Sequence, residues 1–164
     1  MKLKTFLVSL LFMVPVPSMA QEVFVDKVEN KVVIGKLAGN RNLEFGIRNV
    51  LEEYLMEAEY DLIPDAENKI NVEIIFLDVL TTNRNISVFS KRSEAVVIRL
   101  RGVLVKGGEV AKEVIAEESS SEVSMATLVI DNGGNFNQTS LSNALKKACE
   151  KLIQELHGEL WKNY

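Results

Sequence analysis

Residues 95–110 constrain this chain most. Over 95–105 (AVVIRLRGVLV), Val96, Ile98, Leu100 and Leu104 fall on one side of an extended chain. Val97, Arg99, Arg101, Val103 and Val105 fall on the other. A period of two over this length is the pattern of a strand with one face in a core. Gly107-Gly108 follows directly and reads as a tight turn. Residues 109–118 (EVAKEVIAEE) are helix formers by propensity, but their place between the glycine pair and a serine run favours a returning strand.

Two amphipathic helices accompany this hairpin. Over 43–58, Leu43, Ile47, Val50, Leu51, Tyr54, Leu55 and Ala58 make one apolar stripe, with Glu44, Arg48, Glu52, Glu53 and Glu59 mostly off it. Asn40 or Asn42, in the loop Gly39-Asn40-Arg41-Asn42, can cap this helix, and Pro64 closes the segment. Over 141–158, Leu141, Ala144, Leu145, Ala148, Leu152, Ile153 and Leu156 form the second stripe. Thr139 or Ser140 stands ready as its cap, and Lys146, Lys147 and Lys151 face away. Residues 22–37 read as extended, with Glu29-Asn30 a turn and Val32-Val33-Ile34 a buried run. Residues 69–80 (KINVEIIFLDVL) alternate and then become apolar throughout, as suits a strand whose second face is partly covered. Thr81-Thr82-Asn83-Arg84-Asn85 reads as a polar loop before extended structure resumes at 86–90, and residues 119–138 read as a long loop or edge excursion. The expected fold is α+β: a mainly antiparallel sheet of about four strands with two helices packed on one face, in the order β-α-β-β-β-α.

The N-terminus reads as a cleavable secretory leader, residues 1–20. Lys2 and Lys4 precede an apolar run from Phe6 to Val14, Pro15 and Pro17 break it, and Ser18-Met19-Ala20 offers small residues for cleavage after Ala20. The run is shorter than the roughly 20 residues a membrane helix needs. A membrane anchor or a buried first helix are the alternatives. Gln21 would follow the cut, so no lipidated cysteine is created. Residues 21–164 then form a single domain in the periplasm or outside the cell. Losing Lys2 and Lys4 takes the net charge from −4 to −6, which argues against nucleic acid as a partner. With one cysteine, Cys149, no intrachain disulfide can form. Cys149 reads as a small buried side chain, with an intermolecular disulfide as the alternative.

Catalytic grammar is thin. His157 is the one histidine, near the end of the last helix, and nothing in the sequence pairs it with a nucleophile or an orienting acid. Two Cys or His residues are too few for a zinc site. Asp131-Asn132-Gly133-Gly134-Asn135 lacks the glutamate that closes a calcium loop, and Gly133-Gly134 is not followed by the Lys-Ser/Thr of a phosphate loop. No enzyme, cofactor, metal or small-molecule substrate is expected. The candidate interaction surface comprises Arg99, Arg101, Ser119, Ser120, Ser121, Asn132 and Trp161. Arg99 and Arg101 share a strand face and can pair with neighbouring carboxylates or meet another subunit. Trp161 and Tyr164 either close the core or mark a contact surface.

The stretch from Val96 to Leu156 resembles the C-terminal half of the periplasmic domain of the curli secretion channel (CsgG) family. The likeness lies in Val97-Ile98-Arg99-Leu100-Arg101 with Gly107-Gly108-Glu109-Val110, in Ala116-Glu117-Glu118-Ser119-Ser120-Ser121, and in Leu141-Ser142-Asn143-Ala144-Leu145-Lys146-Lys147-Ala148. Val33-Ile34-Gly35-Lys36-Leu37 is similar to that family's opening strand. Family members typically carry a lipidated cysteine at the mature N-terminus, which is not expected here, and paired transmembrane hairpins, for which this chain reads as too short. A membrane-facing strand pair drawn from 70–80 and 86–105 is the alternative to a single core sheet. The resemblance therefore implies a related periplasmic domain rather than a pore. The expected function is an exported non-enzymatic assembly subunit, acting in the periplasm or at the outer membrane as a homo-oligomer or with an envelope protein. The alternatives are a small binding module for a peptide, glycan or lipid, or a phage or virion structural protein.

Overall fold

The computed structural model describes residues 21–32, 43–86, 89–120 and 138–161, with side chains described outside 79–94 and 138. The expected leader, the Gly39–Asn42 loop, Val33-Ile34 and the Asp131–Asn135 turn lie outside the described residues. The elements are β1 (Glu22–Asn30), α1 (Leu43–Glu57), β2 (Asp61–Leu62), β3 (Asn68–Ile86), β4 (Phe89–Lys106), β5 (Glu109–Ser120) and α2 (Gln138–Leu160). They build one five-stranded sheet in the order β2-β1-β3-β4-β5. It is mixed. β1 runs parallel to both β2 and β3, whereas β3, β4 and β5 form an antiparallel meander. The α+β class with two helices is as expected, and about four strands is roughly right: the sheet has five. It is mixed rather than purely antiparallel, although the β3–β4–β5 meander makes most of its ladder antiparallel. A helix between two strands returns the chain to its starting end, so β1 and β3 must lie parallel.

The meander follows the sequence pattern closely. Gly107 and Gly108 both have positive φ, 55° and 91°, which a two-residue hairpin turn requires. Residues 109–118 are strand, as expected. Thr81–Asn85 are strand rather than loop, and Ser119 and Ser120 are the last residues of β5 rather than the start of an excursion. In the first case β3 and β4 simply continue their ladder to Ile86↔Phe89, because backbone pairing needs no apolar side chains. The apolar run of β3 has its own cause. The register shifts between Ile74 and Phe76, so Ile70, Val72 and Ile74 face the helices before the bulge and Leu77 does after it. A second bulge in β1, between Val25 and Lys27, is held by Arg48 of α1, whose guanidinium donates to the Val25 and Asp26 carbonyls. Those contacts also occupy part of an edge that β2 pairs only at Glu22 and Val23.

Both helices pack on the same sheet face and on each other around one core. Leu43, Ile47, Leu51 and Leu55 are the buried side of α1, and Leu141, Ala144, Leu145, Ala148, Leu152, Ile153 and Leu156 that of α2. α2 lies so close to β4 that a Cβ on Gly102 would stand 2.8 Å from the Leu152 side chain. The end of α1 is not set by Pro64. The Tyr60 amide donates to the Leu55 carbonyl at 3.0 Å and the Glu59 amide to Met56 at 3.1 Å, with Glu59 left-handed at φ 63°. This is a Schellman cap on a non-glycine residue, which is why no glycine announced it. Pro64 instead occupies a β-turn closed by Ala66 N–H to the Ile63 carbonyl at 3.0 Å. α2 begins at Gln138, ahead of the expected caps, so Thr139 and Ser140 lie within it. Its C-terminal carbonyls are met by Gln21 at Leu160, Lys106 at Glu159 and Lys112 at Glu155. Two of these three donors are cations, as the helix dipole favours.

Cys149 is fully buried, which removes the intermolecular disulfide as an option in the folded chain. Burial pushes its thiol up to about 12 from an ordinary 9. The thiol is therefore expected to resist iodoacetamide at pH 8 in the native protein and to react fully in denaturant. Rapid native labelling would show that α2 does not seat on β4 as described.

Candidate functional site

Both helices lie on one face of the sheet, and among the described residues nothing covers the other face. By strand alternation it carries Lys27 and Glu29 from β1, Asn71, Glu73 and Phe76 from β3, Arg99, Arg101, Val103 and Val105 from β4, and Val110, Glu113, Ile115 and Glu117 from β5. Arg101 is its centre. Its guanidinium donates to Glu73 Oε2 at 3.0 Å on one neighbouring strand. On the other it takes Glu113 through two bonds, at 2.8 Å and 3.0 Å. The planar fork suits a bidentate carboxylate. The bond from Arg101 holds the Glu113 carboxyl below its usual range, and Glu113 and then Glu73 push the Arg101 guanidinium up. Arg99 donates to Glu117 through Nε at 2.6 Å, and its guanidinium carbon lies 5.4 Å from the centre of the Phe76 ring.

Exposed aliphatic side chains are interleaved with these ion pairs. Val110 and Ile115 are 66% and 54% exposed, unusual values for large aliphatic side chains on a sheet. Val103, Val105 and Val110 join Lys27, Glu29, Asn71 and Glu73 around an open groove of about 290 Å³. The Asn71 Oδ1 atom is buried and has no hydrogen-bond partner.

A second cluster closes the far end of the core. The Tyr60 hydroxyl lies 2.8 Å from His157 Nδ1, and Trp161 Nε1 donates to the same nitrogen at 3.1 Å. The three rings stand 5.7–6.1 Å apart. His157 thus joins the end of α2 to the residue that caps α1.

The expected interaction residues are therefore dispersed. Arg99 and Arg101 share the open face, and their carboxylate partners come from the adjacent strands. Ser119 is exposed and Ser120 is buried at the end of β5. Trp161 belongs to the ring cluster, so it both packs and remains partly exposed, at 42%. Ser121 and Asn132 lie outside the described residues. Glu73, Glu113, Glu117 and Phe76 escaped the sequence reading, because naming them needs the strand registers. Among the described residues no group of three or more His, Cys, Asp or Glu side chains is placed to hold a metal ion, and no helix is long and apolar enough to cross a membrane.

No family model and no curated protein matches the chain. Its fold is shared by solved structures of low identity. A hypothetical protein of Chlamydia trachomatis aligns at TM-score 0.62 and 13% identity, over 88% of this chain and 99% of that one. A Xanthomonas campestris protein of the DUF330 family aligns at TM-score 0.52 and 11% identity, over 88% and 87%. A minor lipoprotein of Acinetobacter baumannii aligns at TM-score 0.50 and 7% identity, over 82% and 94%. At these identities the likeness shows a common α+β fold and nothing finer.

Proposed function

We propose that this chain is an exported, envelope-associated, non-enzymatic assembly subunit that binds another protein through the uncovered face of its sheet. The observation that carries the reading is that face. Among the described residues the sheet is covered on one side only, and its other side exposes Val110 and Ile115 among a row of cross-strand ion pairs. Exposed aliphatic side chains interleaved with paired charges are a mixture that protein interfaces use. The leader-like N-terminus supports export. That a minor lipoprotein of Acinetobacter baumannii has a similar fold supports an envelope setting.

The test is photo-crosslinking in a bacterial host that exports the chain. A benzophenone amino acid at Ile115 is expected to give a discrete crosslinked band in the envelope fraction. The same probe at Lys146, exposed on α2, is expected to give none. A chain retained in the cytoplasm, or equal crosslinking at both positions, overturns the reading. A second reading rests on the groove. Its apolar walls and the unsatisfied Asn71 oxygen suit a small ligand that offers a donor, such as a peptide or glycan. That reading would be favoured by a melting temperature that rises with added ligand and no longer does so in Asn71→Ala.

A further inference from the structure

The groove on the open sheet face is built by the strand registers. Lys27, Asn71 and Val103 stand in one row across β1, β3 and β4. On one side of that row Val105 pairs with Val110. On the other side Glu29, Glu73 and Arg101 form the next row of the same face. The space between these walls is about 290 Å³, near the lower end for a ligand site, so it suits one or two residues.

Three features of the groove are left unfilled. The first is Asn71 Oδ1, a buried acceptor that no donor reaches. Such an atom is a standing cost to the fold, so it asks for a donor from outside. The second is the charge of Lys27. Glu73 is taken by Arg101 and Glu29 by Lys31, and among the described residues the exposed Lys27 holds no ion pair. The third is the aliphatic surface of Val103, Val105 and Val110, the last of them 66% exposed.

A matching ligand carries an N–H, a negative charge and an apolar group close together. The last residue of a polypeptide carries all three on one Cα: its amide N–H, its α-carboxylate and its side chain. Lys27 and Asn71 are partners on neighbouring strands, about 4.8 Å apart, a gap that one residue's N–H and carboxylate can bridge. A glycan presents hydroxyls on every side and needs more polar partners than the one acceptor and one cation left over here. We propose that the groove takes the C-terminal residue of another polypeptide, an aliphatic one, with its N–H on Asn71 Oδ1, its carboxylate at Lys27 and its side chain on Val103, Val105 and Val110. The inference rests on the reading of the open face as a protein-binding surface and deepens it by naming the part of the partner that is read.

Peptide titration followed by backbone amide chemical shifts tests it. Acetyl-alanyl-alanyl-leucine with a free carboxylate is expected to bind the exported, processed chain and to shift Asn71, Val103, Val105 and Val110. Its C-terminal carboxamide is expected to bind roughly fivefold more weakly at low salt, the worth of one exposed ion pair. Lys27→Met is expected to bind both forms alike. Asn71→Leu is expected to bind the free acid about tenfold more weakly, through the lost buried hydrogen bond, and to melt no lower than wild type. No binding of the free acid, equal binding of acid and amide by wild type, or a Lys27→Met chain that still prefers the acid overturns the proposal. So does a lower melting temperature in Asn71→Leu, which would show that the oxygen is already bonded in the native chain. Maltotriose that raises the melting temperature through Asn71 where the peptide binds nowhere also overturns it, and makes the groove a glycan site. Crosslinking at Ile115 reports on the open face as a whole. If that crosslink persists after the peptide has failed, the partner binds the face by something other than its chain end, and the broader reading survives the loss of this one.

Discussion

Replacing Gly102 by valine is expected to cost about 3 kcal/mol of folding stability, near the upper end of what overpacking a core usually costs. The melting temperature should fall by roughly 10 °C. Gly102 lies in the middle of β4, where its Cα faces α2. A Cβ there would meet three atoms of Leu152 at 2.8–2.9 Å, closer than real contacts allow. Leu152 is itself fully buried and cannot swing into solvent. Either the helix lifts from the sheet or Leu152 takes a strained rotamer. Leu152→Ala alone should cost about 3 kcal/mol through the cavity it leaves. The double variant should lose clearly less than the sum, because the valine methyls refill that cavity. Thermal melts of the four proteins in a double-mutant cycle measure this, and strict additivity would mean that Gly102 and Leu152 are not in contact.

The same glycine shows where sequence reading stopped. The alternation of Val96, Ile98, Leu100 and Leu104 gave the correct inward face of β4, and the two helical stripes gave the correct buried faces of α1 and α2. Those patterns are local, and burial of one face dictates them. Nothing local marks Gly102 as the point of closest helix approach, since a glycine in a strand reads equally as a bulge. Direction was also hidden. A valine-rich first strand fits a parallel or an antiparallel neighbour, and only the intervening helix makes β1 parallel to β3. β2 has two residues, too few to carry a pattern. In the open face, cross-strand pairing of Arg99 and Arg101 was legible from their shared side of one strand. Their partners were not, because the bulges at Ile75 and Ala111 shift which carboxylate stands opposite. That Thr81–Asn85 are strand and not loop has a related reason. Polar residues such as Thr81 to Asn85 look like a loop when strands are sought by their apolar faces, yet a hairpin needs only its ladder.

Tyr60→Ala is expected to cost about 3–4 kcal/mol, the usual loss for a large buried aromatic residue. Tyr60 is 3% exposed, and three features converge on it. Its amide completes the Schellman cap of α1, its ring packs against His157 and Trp161 of the α2 end, and its hydroxyl meets His157 Nδ1 at 2.8 Å. Tyr60→Phe separates these contributions. Both variants keep the backbone amide and its cap, but Tyr60→Phe also keeps the ring and should lose only about 1 kcal/mol with the hydroxyl contact. The two variants also differ from wild type in alkali. Burial pushes the Tyr60 phenol up to about 12, above its ordinary 10. The unfolded chain therefore releases this proton first as pH rises. The stability tied to the neutral phenol is complete below pH 10 and disappears as pH climbs through 12. Cys149, raised from 9 to about 12, adds a loss in the same direction that begins one unit lower. Denaturant melts between pH 8 and 12 should thus show a falling limb that is shallower in Tyr60→Phe and shallower still when Cys149→Ala is added. An unchanged limb in the double variant would mean that these two groups are solvated in the native state, and that neither the end of α2 nor its seat on the sheet is closed as described.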